Sequence, residues 1–265
     1  FTSSASFTAA ENQTAIGTAT ATDVDEDTVT FTVSGSEVAI TEAGILTFVV
    51  APDYETKSSY SATVTASDGT NTTTQGVTVT VTDVNEAPSF TSSASFTAAE
   101  NQTAIGTVTA TDVDGDTVTF TVSGSDLEIT SAGVLTFASA PDYETTTSYS
   151  ATVTASDGTN TTTQGVTVTV TDVNEAPSFT SSASFTAAEN QTDIGSVSVN
   201  DPENATLNYS LSGTDASSLA ISSSGALTFA SAPNYESKNS YSASVSASDG
   251  TNSEVVRYSW TRIYP

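Results

Sequence analysis

An all-β chain of three tandem seven-stranded β-sandwiches is what this sequence predicts, and three observations carry the prediction. The segment Phe1-Thr-Ser-Ser-Ala-Ser-Phe7 returns at Phe90 and again at Phe179, a period of 89 residues both times. Each copy is built of short runs in which Thr or Ser alternates with Val, Ala, Phe or Tyr, the two-residue period of strands with one buried face. The first two copies close on Asp83-Val84-Asn85-Glu86-Ala87-Pro88 and Asp172-Val173-Asn174-Glu175-Ala176-Pro177, dividing the chain into 1–88, 89–177 and 178–265. A period of this length marks tandem domains, since solenoid units run roughly 20 to 50 residues.

Within the first copy the strand signals follow in order, each bounded by Gly, Pro, Asp or Asn. Strands are expected over 3–9, 15–22, 28–33, 38–40, 45–50, 60–67 and 76–82. Seven short strands without helical periodicity read as a two-sheet antiparallel sandwich. Alternation assigns Phe31, Val33, Leu46, Phe48, Tyr60, Ala62, Val64, Ala66, Val77, Val79 and Val81 to the core and turns the intervening threonines outward. Tyr54 is assigned to packing as well, on the general tendency of aromatics to be buried. The third copy has drifted and carries three extra residues before Tyr235.

A net charge of -27, from 31 acidic against four basic residues, leaves nearly every carboxylate without a Lys or Arg partner. Such a chain does not suit nucleic-acid phosphates or an anionic membrane surface, and no apolar run is long enough for direct membrane insertion. With no His, Cys or Met, disulfides and thiolate or imidazole metal sites are excluded, which leaves oxygen ligands. No charged-then-apolar leader precedes Phe1 and the chain opens in mid-pattern, as expected of a mature product or a piece of a longer protein.

The placement of the acids follows from strand parity. If successive strands run between two poles and strand one starts at the top, Glu11 (after strand one), Asp53 and Glu55 (after strand five) and Asp83, Asn85 and Glu86 (after strand seven) all fall at the bottom of the first sandwich. Asp112 and Asp114 (after strand two) and Asp157 (after strand six) fall at the top of the second. The linker sets that bottom against that top, so residues far apart in sequence are expected at one junction. Two like charges about 4 Å apart repel by roughly 4 kcal/mol at an effective dielectric near 20. Calcium (Ca2+), which takes about six to eight hard oxygen ligands, relieves such a cluster; magnesium demands a smaller octahedral shell that retains water.

These residues resemble the motifs of cadherin-type repeats. Glu11-Asn12 looks like the acidic base motif, Asp53-Tyr54-Glu55 like the "DRE" motif, Asp83-Val84-Asn85-Glu86 like the "DxNDN" linker, Asp112-Val113-Asp114 like "DxD", and Ala155-Ser156-Asp157-Gly158 like the final "A-x-D" ligand. The resemblance covers nearly all of the chain. It implies a Greek-key, immunoglobulin-like sandwich, calcium at each junction, and an extracellular or cell-surface role in adhesion or as a stalk. Glu86 and Glu175 in place of Asp, and Ala87 and Ala176 in place of Asn, resemble a microbial version of the repeat.

The resemblance carries over to the second junction as Glu100, Asp142, Glu144, Asp172, Asn174 and Glu175 from one side and Asp201, Glu203 and Asp249 from the other, with Asp201-Pro202-Glu203 replacing Asp-Val-Asp. Asp23, Asp25 and Asp68 form a half-site at the top of the first repeat, to be completed by a preceding domain or a neighbouring subunit. The lower pole of the third repeat lacks a full site, because Asn234 replaces an acid and the last strand ends in Arg257-Tyr-Ser-Trp260-Thr-Arg262-Ile-Tyr-Pro265 without an Asp-Val-Asn-Glu linker.

Rival readings fit less well. An EF-hand at 112–116 lacks the loop glycine and terminal Glu at their offsets. A carboxylate pair for glycoside hydrolysis has no accompanying machinery, so the chain reads as no enzyme. Two function classes remain: a calcium-rigidified stalk or filament building block, about 120 Å long at roughly 3.4 Å per strand residue, whose partners are other repeats or neighbouring subunits; or an adhesive module that binds a partner protein or glycan directly. Tyr258 and Trp260, standing where the earlier copies have valines, are the one stretch that fits the second class; a plain terminal strand is the alternative.

Overall fold

The computed structural model describes Phe1–Ile263, with side chains through Trp260; the end of the tail singled out above, Tyr264 and Pro265, lies outside the described residues. The first repeat forms seven strands: β1 (Ser6–Ala10), β2 (Ala15–Thr18), β3 (Thr30–Val33), β4 (Val38–Ile40), β5 (Ile45–Phe48), β6 (Ser59–Ser67) and β7 (Thr72–Thr82). They build a four-stranded sheet in the order β1-β7-β6-β3 and a three-stranded sheet in the order β2-β5-β4. The third repeat has the same two sheet types. In the second repeat Thr119–Val122 pairs antiparallel with 153–156, and Ser95–Ala99 pairs parallel with 167–171. The fold is all-β apart from one 3-10 turn, and none of the described helices is long and apolar enough to cross a membrane.

The sandwich is not wholly antiparallel. β1 pairs with β7 in parallel, Ser6 opposite Thr78 through Ala10 opposite Thr82. Strands one and seven both run from top to bottom when connections alternate between poles, so the parallel pair is what parity requires once the two become neighbours. β7 also begins four residues earlier than alternation suggests, at Thr72. Thr72–Gln75 pair with Val64–Ser67 across the hairpin, but their side chains are mostly exposed, so no hydrophobic alternation marks them.

Between the sheets Phe31, Val38, Leu46, Phe48, Val64, Ala66, Val77, Val79 and Val81 are buried, with Val33, Tyr60 and Ala62 at the margin. Tyr54 is not among them: at 36% exposure it belongs to the surface, because its loop is not bound by the strand alternation that fixes the core. Gly44, at φ +87°, makes the turn into β5, and a Cβ there would sit 2.2 Å from the Ala19 carbonyl oxygen. Gly133 repeats the arrangement against Val108. Only glycine fits both the left-handed backbone and this approach.

The third repeat accommodates two changes. Its three extra residues lie between Gly213 and Leu219, where Ala216–Ser218 make the 3-10 turn and buried Asp215 accepts Ser242 N–H at 2.8 Å and pairs with Lys238. Tyr258 and Trp260 are fully buried, Trp260 opposite Tyr241 and Phe185, and Tyr258 with its ring 5.8 Å from Phe179. The aromatic pair therefore fills the core and is no exposed binding patch: strand alternation places both on the inward face that valines occupy in the first repeat.

Contacts gather the chain into two compact units. One comprises Phe1–Ala94, Gly106–Leu135 and Ala151–Val166; the other comprises Ser95–Ile105, Thr136–Ser150 and the chain from Thr167 on. Each linker lies inside one unit together with all the strand ends that its predicted site draws on.

Candidate metal centre

The first site is built around Glu11. The parallel β1–β7 pair brings the end of β1 beside the end of β7, where Glu11 N–H bonds Thr82 O at 3.1 Å. Asn12 then turns the chain through a left-handed conformation, φ 59°, which Asn tolerates better than most residues, and its N–H meets Pro52 O at 3.0 Å. Glu11, 3% exposed, is thereby wedged between the β5–β6 loop and the linker. One carboxylate oxygen accepts Tyr54 N–H at 2.7 Å and the other accepts Val84 N–H at 2.8 Å. A single buried carboxylate thus ties two segments 30 residues apart to the end of β1.

Around it the acids converge as parity expects. Glu11, Asp53 and Glu55 present ligand atoms within 4.8 Å of one another, and Glu55, Glu86 and Asp114 form a second such group that joins residues of both repeats. The linker backbone holds the second repeat's acid directly: Glu86 N–H donates to Asp114 Oδ2 at 2.8 Å. Asp112 Oδ1 receives Asp114 N–H at 3.1 Å. Asp157 Oδ2 accepts from Asn85 Nδ2 at 2.8 Å, while its Oδ1 collects the N–H groups of Thr159 and Asn160. Asp83, Asp112 and Asp157 stand outside the three-acid groups.

The second site repeats the plan. Glu100, 3% exposed, accepts Tyr143 N–H and Val173 N–H, both at 2.8 Å. Asn174 Nδ2 reaches Asp249 Oδ2 at 2.7 Å. The acid groups are Glu100–Glu144–Asp172 and Glu144–Glu175–Glu203, so Asp172 takes the place that Asp53 has in the first site and Asp142 is left out. Asp201 is buried at 6% exposure. Asp23, Asp25 and Asp68 do not form a three-acid group among the described residues; Asp23 Oδ1 accepts Asp25 N–H, and Asp68 Oδ1 accepts Thr70 and Asn71 N–H. In the third repeat Glu189 accepts Tyr235 N–H at 3.3 Å.

Four asparagines join the acids at the sites. Asn12 donates to Glu86 and Asn101 to Glu175. Asn160 Nδ2 holds Asn85 O at 2.7 Å, and Asn252 Nδ2 holds Asn174 O at 2.8 Å. Their signal was present in the recurring Glu-Asn and Asp-Gly-Thr-Asn, yet it reads equally as turn chemistry.

Crowding shows in the acidities. Burial pushes the Asp83 carboxyl up, aided by a hydrogen bond with Asp114 and repulsion from it and from Glu11. Burial also raises Glu86, against the lowering effect of Asn12. In the second site Glu175 is pushed up to about 7 by the close Glu203 carboxylate and by burial, while the same contact pulls Glu203 down. The sign follows: a carboxyl with a raised folded pKa favours the fold while protonated, and that contribution is lost as pH rises from the unfolded value near 4.5 through about 7. Chelator-treated protein should therefore lose stability between pH 5 and 7.5, and a cation entering the second site should release a proton near neutrality, measurable by calorimetry in buffers of different ionisation enthalpy.

The oxygens left over test whether a cation fits. Buried side-chain oxygens without a hydrogen-bond partner include Glu86 Oε2, Asp112 Oδ2 and Asp114 Oδ1 at the first site and Glu175 Oε2, Asp201 Oδ2 and Glu203 Oε2 at the second. The others among the described residues are Gln75 Oε1, Gln164 Oε1 and Trp260 Nε1, so carboxylate orphans occur only at the junctions. Buried unpartnered carboxylates are costly, and hard, negatively charged oxygens from both sides of a linker suit calcium.

No curated protein matches the sequence. The model of the bacterial Ig domain (Big_9) matches residues 85–171, from the first linker into the last strand of the second repeat. Among solved structures, mouse cadherin-23 EC22-24 aligns over 97% of this chain and 95% of its own at 22% identity, with a TM-score of 0.63. The fold is that of tandem cadherin repeats. Human CDH23 EC21-23 superposes with a TM-score of 0.66 at 19% identity, covering 97% of both chains. The protocadherin gamma-B4 extracellular domain gives 0.60 at 23% identity over 97% of this chain, which spans about half of that structure (48%). The cadherin-type resemblance read from five short motifs thus extends to the three-dimensional fold of nearly the whole chain.

Proposed function

We propose that the chain is an extracellular or cell-surface structural and adhesion segment, organised as repeats 1–88, 89–177 and 178–265, in which calcium at the two linkers turns flexible joints into stiff ones. The observation that carries this reading is the concentration of buried, unpartnered carboxylate oxygens at the linkers. Without a cation, Glu11, Glu55, Glu86 and Asp114 repel across the joint; with one, the same oxygens from both sides bind a common charge. Glu11, Asp53, Glu55, Asp83, Asn85, Glu86, Asp112, Asp114 and Asp157 supply the first junction, and Glu100, Asp142, Glu144, Asp172, Asn174, Glu175, Asp201, Glu203 and Asp249 the second. The cation's contribution is electrostatic and mechanical; the reading includes no enzymatic step.

Extracellular placement is supported by the cadherin-type fold, which the chain shares with cadherin-23 and protocadherin extracellular domains. The partners are adjoining repeats and neighbouring subunits. The alternative of direct recognition of a protein or glycan has lost its candidate anchor, since Tyr258 and Trp260 are interior. Small-angle scattering tests the proposal: the maximum dimension should be larger in calcium than in chelator. Unfolding should shift upward in parallel, by about 2.7 kcal/mol per independent site at a hundredfold the dissociation constant. Superimposable scattering and melting curves under the two conditions would overturn it.

A further inference from the structure

Each junction's proposed ligand set holds eight carboxylates, so their number does not distinguish the two sets. They differ where Asp201-Pro202-Glu203 replaces Asp112-Val113-Asp114. In the first junction Asp114 is pinned from two sides. Its Oδ2 receives Glu86 N–H at 2.8 Å, and its own N–H is held by Asp112 Oδ1 at 3.1 Å. In the second, the contact from the linker, Glu175 N–H to Glu203 Oε1, stretches to 3.3 Å. Asp201 spends its Oδ1 on Ala205 N–H at 2.9 Å, two residues beyond Glu203. Glu203 also carries one more rotatable bond than Asp114. Asp201 is 94% buried, as its 6% exposure means, and keeps Oδ2 buried and unpartnered, so the second site still offers an oxygen that needs a cation.

We propose that the junctions fill in order, the first at lower calcium concentration than the second, and that the exchange of Asp114 for Glu203 sets the interval. This rests on the calcium reading above and adds to it a graded response. At equal ligand charge, calcium affinity follows site rigidity. Immobilising one additional side-chain rotor weakens binding by roughly three- to tenfold. Over that range of calcium concentration one joint is stiff while the other remains compliant.

The linkers themselves report the order, because Glu86 and Glu175 are cleavage points for a glutamate-specific protease. The chelator-stripped full chain is titrated with calcium chloride, digested briefly, and the fragments ending at Glu86 and at Glu175 are followed separately. Protection of Glu86 should appear at roughly three- to tenfold lower calcium than protection of Glu175. Asp114→Glu should raise the Glu86 midpoint toward that of Glu175, and Glu203→Asp should lower the Glu175 midpoint toward that of Glu86. Equal midpoints in the unmodified chain, or midpoints that neither exchange moves, overturn the grading while leaving calcium binding intact. If neither linker gains protection at any calcium concentration, the calcium reading itself falls, and the grading with it.

Discussion

Glu11→Ala should destabilise the calcium-free protein by about 3 kcal/mol, as the loss of two hydrogen bonds to a buried charged acceptor implies. Tyr54 and Val84 N–H each have a Glu11 oxygen as partner, at 2.7 and 2.8 Å, and alanine leaves both donors without one. A term of opposite sign competes, since removing this charge relieves repulsion felt by Glu55, Asp83 and Glu86. Glu55 and Asp83 are exposed, and pair terms between exposed groups amount to roughly 0 to 1 kcal/mol. The lost hydrogen bonds therefore win. Glu11→Gln retains one acceptor oxygen and should cost about half as much. Urea denaturation in chelator, followed by circular dichroism, measures both; a Glu11→Ala midpoint equal to that of the parent would show that the carboxylate does not hold the loop and linker. Repeating the series in calcium should widen the gap, because both variants weaken a ligand set as well as a fold.

Trp260→Ala should cost about 3–5 kcal/mol, the range for emptying a large aromatic site in a packed core. Trp260 is 1% exposed, beside Tyr258 at 0%. Its indole N–H has no partner, so the loss is one of packing and not of hydrogen bonding. Trp260→Phe, which sheds that buried donor, should accordingly cost much less. As the sole tryptophan of the chain, Trp260 also provides a direct readout in the unmodified protein. Its emission should be blue-shifted and resist acrylamide quenching until the third repeat unfolds. Red-shifted, freely quenched emission from folded protein would contradict the core placement and restore Trp260 as a surface residue.

Much of the architecture was legible in one dimension because a strand's two-residue period leaves a trace in the side chains wherever one face is buried. That trace located seven strands and the centre of the core. It failed where periodicity has no hold. Tyr54 sits in a loop, and general burial tendency misassigned it. Thr72–Gln75 are exposed on a two-stranded extension and have no apolar face to betray them. Tyr258 and Trp260 obey the alternation, yet their size suggested a surface role until the third repeat's core was seen to enclose them. Pole assignment by parity succeeded for the linker acids because connection lengths are short, so each acid stays near the strand end that precedes it.

The sequence by itself determined the 89-residue repeat, the order of the strands, the all-oxygen character of the candidate sites and the pole at which the linker acids gather. These depend on chain order and on chemical type, and both are written in the chain. Only the tertiary structure decided that Asp53 joins the acid group of the first site whereas Asp172 joins that of the second, that Asn12 bonds Glu86 and Asn160 the Asn85 carbonyl, and which carboxylate oxygens have no hydrogen-bond partner. The reason is competition. Every carboxylate at a junction can be claimed either by a backbone N–H or by a metal ion, and the outcome turns on distances between loops that the sequence brings to the same pole but does not set.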